Sequence, residues 1–313
     1  MSPDKTADPV ASVVIITLGR PKLYQLLPAL DEQDTDFAFE IVLVANGPVD
    51  TGRIRGNSAR VYHEEGGLGI PYYRNRGTEL ALGRIIVFID DDEMPKDKKW
   101  LDSLVNPILS GGEKVTVAGT MVPLGQGFLA DLISMLGYPG GGSLGWRNVY
   151  KVDENGYTDK LPSGNCAIEK TLLEEVGGFH EDLVYGASDL FLGETLLERG
   201  VKMLYVDDAE ICHEARGDLM GFISWQIRRG RSVYNLKEVR PITQFSRNHV
   251  GGRLKRTWLI LKSMFPSWKF IPMLGVLFIE YFCHGLGYLL EMIEQALLKN
   301  GGRGRRPAPG RTP

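Results

Sequence analysis

Short, nearly continuous apolar runs alternate with amphipathic stretches along the first two thirds of the chain. Residues 11–17 (ASVVIIT), 40–47 (EIVLVANG) and 85–89 (IIVFI) are rich in β-branched side chains. Runs of that kind suit strands buried on both faces. Residues 59–65 (ARVYHEE) predict another strand. Between the first two runs, Leu23, Leu26, Leu27 and Leu30 recur at helical spacing, and Pro21 suits a first turn. The stretch 66–83 (GGLGIPYYRNRGTELALG) passes from a glycine loop into a helix. This alternation predicts an α/β unit around a mostly parallel sheet.

Farther on, residues 100–109 predict a helix and 115–123 (VTVAGTMVP) a strand. Residues 137–163 are rich in glycine and read as a loop. Residues 165–168 resume a short strand. Residues 183–200 contain a helix closed by Gly200, and 201–214 supply strands again. From Gly217 the pattern is helical and basic. Residues 270–293 are apolar enough to resemble a membrane span. Yet Glu280, His284, Gly287, Glu291 and Glu294 fall on one helical stripe. A glutamate at the centre of a span costs about 2.5–3 kcal/mol. The stripe therefore favours a helix that lies in the membrane interface or packs on another helix. Trp258, Trp268 and Tyr281, beside Arg253, Lys255, Arg256, Lys262 and Lys269, suit an interfacial anchor.

Charge sharpens that division. Residues 1–214 carry net −15 and residues 215–313 net +12, within an overall −3. A basic C-terminal third beside an acidic body points to an anionic membrane surface or an anionic acceptor. The three cysteines (Cys166, Cys212 and Cys283) have no metal or disulfide spacing, which suits a reducing compartment. The first ten residues show no apolar signal segment. They are expected to be flexible, and the basic tail 300–313 disordered.

Asp90, Asp91 and Asp92 end the run at 85–89. Three carboxylates cannot enter the core unpaired, because each buried charge costs several kcal/mol, roughly. They belong at the strand mouth, where Thr17 and Asn46 also fall and where α/β sheets bind ligands. A solvated acidic turn has the same composition, but the buried strand before it favours a cation site. Alternate residues share a face, so Asp90 and Asp92 can point together at Mn²⁺ or Mg²⁺, which take oxygen ligands. Gly69, before the helix with Arg74 and Asn75, suits a phosphate. Asp189 sits near a helix start, and His213 closes a strand.

The order of these segments resembles a family 2 glycosyltransferase with the GT-A fold. SVVIITLGRP is similar to the family's first strand. RNRGTELALGRIIVFIDDDEMP resembles its helix and D-x-D strand. LPSGNCAIEKTLLEEVGGF resembles the acceptor-side segment, and YGASDLFLGETLLERGVKMLYVDDAEICH the segment with the catalytic acid and terminal histidine. The resemblance covers residues 10–215. It implies a GT-A catalytic domain over 11–215, with a nucleotide-binding half (11–123) and an acceptor half (124–215). A basic helical region at 216–299 would associate with a membrane or a second copy.

Position by position, the resemblance implies Asp189 as catalytic base and Asp90, Asp92 and His213 at a Mn²⁺ or Mg²⁺ ion. Thr17, Asn46, Gly69, Arg74, Asn75, Asp90 and Asp91 would hold the donor. Trp146, Gly164 and Asn165 would face the acceptor. The implied activity is inverting hexosyl or deoxyhexosyl transfer from a nucleotide-diphosphate sugar to a lipid-linked or cell-envelope glycan. The expected location is the cytoplasmic face of the plasma membrane; nucleic acid is not an expected partner. Ala45 and Asn46 stand where the family often has acids, and Ser188 stands where a glutamate usually precedes the base. These departures leave a second reading, a silent sugar-nucleotide-binding or membrane-recruiting protein. The Q-x-x-R-W pattern of processive members is only echoed, in WQIRRGRSVY (225–234).

Overall fold

The computed structural model describes residues 8–54, 59–66, 69–240 and 245–300, with only the backbone for 245–252 and 300. The expectations for residues 1–7, for Gly67 in the glycine loop and for the tail 301–313 lie outside the described residues.

The chain begins with β1 (Ala11–Thr17), α1 (Leu23–Asp31), β2 (Phe39–Ala45), β3 (Ala59–His63), α2 (Ile70–Leu80) and β4 (Ile85–Ile89). There follow β5 (Glu93–Pro95), α3 (Trp100–Leu109), β6 (Val115–Val117), β7 (Thr120–Met121), α4 (Phe128–Ser134), β8 (Gly141–Gly142), α5 (Trp146–Val149) and β9 (Tyr157–Thr158). Next come β10 (Asn165–Glu169), α6 (Lys170–Glu175), α7 (Ser188–Glu198), β11 (Met203–Tyr205) and β12 (Ile211–His213). Three long helices close the chain: α8 (Leu219–Val239), α9 (Phe245–Met264) and α10 (Phe270–Asn300).

Eight strands form the main sheet in the order β3-β2-β1-β4-β10-β6-β11-β9. The first four are parallel, and β10 runs antiparallel to both β4 and β6. This is the mostly parallel, helix-flanked sheet of the GT-A fold. The continuous apolar runs are explained by burial on two faces. Val13 and Ile15 of β1 join one core with Leu26 of α1 and Leu104 of α3, while Val14 joins the opposite core with Tyr73 of α2 and Leu192 of α7.

A second sheet, β5-β12-β7-β8, lies at the mouth of the first. It corrects two expectations. The strand expected over 115–123 is broken at Ala118–Gly119, and its two pieces serve different sheets. The break brings Gly119 so near Trp146 that a Cβ there would lie 3.1 Å from the Trp146 Cβ. The expected loop 137–163 holds β8, α5 and β9.

The polar stripe of α10 packs inward against α8. A Cβ on Gly230 would lie 2.0 Å from the His284 carbonyl oxygen, and one on Gly287 2.0 Å from that of Ile227, so the helix backbones touch. Arg231 bridges Glu291 and Glu294 at 2.8 and 2.9 Å. Glu280, fully buried, accepts from Arg256 at 2.7 Å. With the acids turned inward, the outer side of α9 and α10 exposes Trp258, Phe265, Trp268, Ile271, Phe278 and Phe282. Among the described residues, α10 alone is long and apolar enough to cross a membrane.

Candidate active site

The carboxyl ends of β1, β2 and β4 deliver Thr17, Asn46 and the three aspartates to one rim. There the aspartates separate. Asp90 Oδ1 accepts from Arg74 Nη2 at 2.6 Å, and Arg74 is buried on α2. Asp91 turns back to β1, where its Oδ2 accepts from Thr17 Oγ1 at 2.6 Å and from the Leu18 amide at 3.3 Å. Asp92 faces out, with Oδ2 3.5 Å from His213 Nε2 and 3.6 Å from Arg20 Nη1.

Strand pairing creates the Asp92–His213 contact. In the antiparallel β5–β12 pair, His213 stands opposite Glu93, directly beside Asp92. Burial works to raise the Asp92 carboxyl. His213, Arg20 and Lys22 outweigh it and hold the group below the usual carboxylate range. Burial pushes the Asp91 carboxyl up, against its bond from Thr17.

A divalent ion usually takes one or two carboxylates plus substrate phosphates. Asp92, with His213 at its side, fits that demand with a carboxylate oxygen and an imidazole nitrogen. Asp90 is tied to Arg74, and among the described residues no three acidic, His or Cys side chains are gathered to hold a metal. The expected three-ligand group is therefore not assembled in this structure.

Gly164 lies against this rim. A Cβ there would be 2.7 Å from Glu93 Oε2 and 3.1 Å from Asp90 Oδ2. Glu93 went unremarked in the sequence, submerged in the acidic run. It is buried, and its Oε2 accepts from the Asp90 amide at 3.1 Å. Burial, then the charge of Asp90, pushes its carboxyl well above the usual range. Its place at the start of β5, directly after the three aspartates, is the one signal that could have found it.

Asp189 lies in the first turn of α7, after Ala187 in the left-handed region at φ 66°. Its Oδ1 accepts from the Leu190 amide at 2.8 Å. Burial pushes the carboxyl up; that amide, Arg74 and Arg229 oppose the shift. A carboxylate with a raised pKa is a stronger base for a hydroxyl proton.

Three expected ligand residues have structural work instead. Trp146 is 2% exposed and stacks on Tyr205 at 5.5 Å, so it cannot meet an acceptor. Asn165 is fully buried, accepts from Trp100 Nε1 at 2.9 Å and donates to the Gly119 and Ala209 carbonyls. It joins the two sheets and is closed to solvent. Asn75 donates to the Phe179 carbonyl and accepts from the Phe179 amide, both at 2.8 Å, so its amide is committed to that loop. Gly69 precedes α2 against Val184, where a Cβ would lie 2.9 Å from Val184 Cγ1. Asn46 is half-buried, and its amide donates to the Thr17 carbonyl.

Comparison with known proteins agrees with this architecture. Residues 12–174 match the model of the family described as glycosyl transferase family 2. Glycosyltransferase AglE of Haloferax volcanii is 26% identical over 196 residues, which cover 58% of this chain and 59% of that relative. The chain thus spans less than two thirds of that relative's length. Among solved structures, mannosyltransferase PcManGT from Pyrobaculum calidifontis, in complex with GDP-Man and Mn²⁺, is similar at a TM-score of 0.55 and 18% identity. That alignment covers 95% of this chain and 90% of the other. S. aureus TarS 1–349 in complex with UDP-GlcNAc is similar at 0.50 and 16% identity, over 95% and 93%. The order of the sheet, the aspartate rim and the matched residues lead to one conclusion: the chain belongs to glycosyl transferase family 2.

Proposed function

We propose that the chain is a metal-dependent, inverting glycosyltransferase. It moves a hexosyl or deoxyhexosyl group from a nucleotide-diphosphate sugar to a hydroxyl of a lipid-linked or cell-envelope acceptor. The observation that carries this reading is the rim itself, Asp92 beside His213 at 3.5 Å, together with half-buried Asp189 in the first turn of α7. The complexes of the two similar structures, with GDP-Man and Mn²⁺ and with UDP-GlcNAc, support a nucleotide-sugar donor and a cation.

Asp92 and His213 would hold the cation, which would supply positive charge against the diphosphate. Arg20 adds positive charge at the same edge. Asp189 takes the proton of the acceptor hydroxyl as its oxygen attacks the anomeric carbon. The bond to the diphosphate oxygen breaks on the opposite side, so the configuration inverts. Thr17 fixes Asp91 and with it the turn that presents Asp92. The exposed apolar side of α9 and α10 supports a place on the cytoplasmic membrane face, beside a lipid-linked acceptor.

Incubation with a panel of sugar nucleotides and Mn²⁺ tests the reading. Release of nucleoside diphosphate, lost on chelation, is the expected result. Release of pyrophosphate, or turnover indifferent to chelation, would exclude it.

A further inference from the structure

Glu280 of α10 gathers its polar contacts on one oxygen. Its Oε1 accepts from Arg256 Nη2 at 2.7 Å, from the Tyr138 hydroxyl at 3.3 Å and from Arg253 Nη2 at 3.4 Å. Its Oε2 is buried and, among the described residues, has no hydrogen-bond partner; the same holds for Arg253 Nε and Arg256 Nε. Arg256 also donates from Nη1 to the Tyr138 oxygen, and its guanidinium lies 4.6 Å from the centre of the Tyr138 ring. Buried polar groups left short of partners cost free energy. Apolar side chains of similar volume would pack a core here without that cost. What they could not do is fix the direction of a tyrosine hydroxyl.

Tyr138 is where the helical extension meets the cleft. It lines a concavity together with Ile133, Pro139, His213 and Trp225. Trp225 meets its ring edge to face at 5.6 Å. His213 is the neighbour of Asp92 at the candidate cation site. Ile133 lies in a third core with Ile260 and Met264 of α9 and Met273 and Leu277 of α10, and Tyr138 packs against that core. One wall of the concavity therefore stands on α9 and α10 and not on the main sheet.

The same turns of α9 and α10 also look outward. At 3.6 residues per turn, positions two apart face nearly opposite ways. Arg256 is buried and Trp258 exposed; Glu280 is buried, and Phe278 and Phe282, stacked at 5.8 Å, are exposed. Exposed Lys255 and Lys262 flank Trp258. Aromatic and cationic side chains on one face suit an anionic membrane surface. Any shift of α9 against α10 acts directly on the inward ions. A small one would hand an arginine from Oε1 to the unbonded Oε2, and Tyr138 would lose its anchor. Packed cores move between discrete arrangements of this kind and do not deform by degrees.

We propose that Tyr138 is a positioning residue of the acceptor cleft, locked by Arg256 and Glu280 when the outer face of α9 and α10 is seated on an anionic membrane. The cleft is then fully ordered only at the surface where a lipid-linked acceptor resides. This rests on the glycosyltransferase and membrane reading above.

The test follows amide hydrogen exchange in the full chain, with and without phosphatidylserine vesicles. The amides of Gly137, Gly141 and Gly142 bond to carbonyls of the same loop, so their exchange reads its local opening. In the wild type, vesicles should slow exchange over residues 135–142 by about tenfold or more, the effect of securing one charge-assisted hydrogen bond. Tyr138→Phe keeps the ring on Trp225 and removes the hydroxyl. It should float with the vesicles as wild type does and lose the vesicle-dependent slowing. Should that variant melt early, R256K gives the same reading, since it keeps a cation for Glu280 but not the planar fork that also reaches Tyr138. GDP and UDP binding with Mn²⁺ should stay within about twofold of wild type in both variants. A merely structural Tyr138 would speed exchange equally with and without vesicles, and that result would overturn the proposal. Slowing that survives in both variants, or wild-type slowing confined to α9 and α10, would also overturn it. A wild type that does not float would strike the membrane reading, and one that binds neither nucleotide the glycosyltransferase reading; the proposal falls with either.

Discussion

Arg74 donates to Asp90 Oδ1 at 2.6 Å, and this pair leaves Asp92 as the aspartate turned toward His213. The three neighbours are thus expected to fail differently when changed. Asp92→Ala should weaken Mn²⁺-dependent donor binding by at least about 10–100-fold, the range already seen when only a residue supporting a metal ligand is lost. Asp91→Asn should retain that binding and melt earlier, because Asp91 anchors the turn to Thr17. Thermal shift with Mn²⁺ and donor reads both. Equal loss of donor binding in the two variants would contradict the division.

The raised Asp189 carboxyl predicts a pH profile. As base it must be ionised, so kcat/KM should fall as pH drops through its folded pKa. That acid limb should stand above the ordinary aspartate value of about 3.9. The linkage to stability has the opposite benefit. A folded pKa raised above the unfolded one contributes stability below the unfolded value, and that contribution is lost as pH rises through the folded value. Asp189→Asn should therefore melt higher than wild type at neutral pH. A limb at or below the ordinary value, or a lower melting temperature, would contradict this.

Asn165 links both sheets through Trp100, Gly119 and Ala209. Asn165→Ala strands one buried donor and leaves two carbonyls short of a partner. The expected loss is about 3 kcal/mol or more in urea unfolding. A cost under about 1 kcal/mol would show that the amide is replaceable by water.

The outer face of the helix pair predicts membrane binding that depends on Trp258 and Trp268, 66% and 69% exposed. Changing both to Gln should reduce flotation with phosphatidylserine vesicles by about tenfold while the Gly230–Gly287 packing keeps α10 in place. Equal flotation of variant and wild type would remove the membrane assignment.

Much of the fold was legible because strands buried on two faces write themselves as continuous apolar runs. β1 and β4 coincide with the stretches that periodicity marks, β2 begins one residue before its own, and the aspartates fall at their mouth. The stripe of α10 was legible for the same local reason, and its inward packing follows from Glu280 and Glu291 being buried. Trp146 and Asn165 were misread because their burial comes from segments distant in sequence. The meeting of Asp92 with His213 depends on a strand register between residues over a hundred positions apart, and no periodicity encodes that.

Asp189 carries the claim of catalysis, and its amide variant tests that claim most directly. With Mn²⁺ and a donor that the wild type turns over, Asp189→Asn should bind that donor as wild type does and release nucleoside diphosphate about 10²–10⁴-fold more slowly. Release at the wild-type rate, with donor binding intact, would contradict the account and assign the base elsewhere.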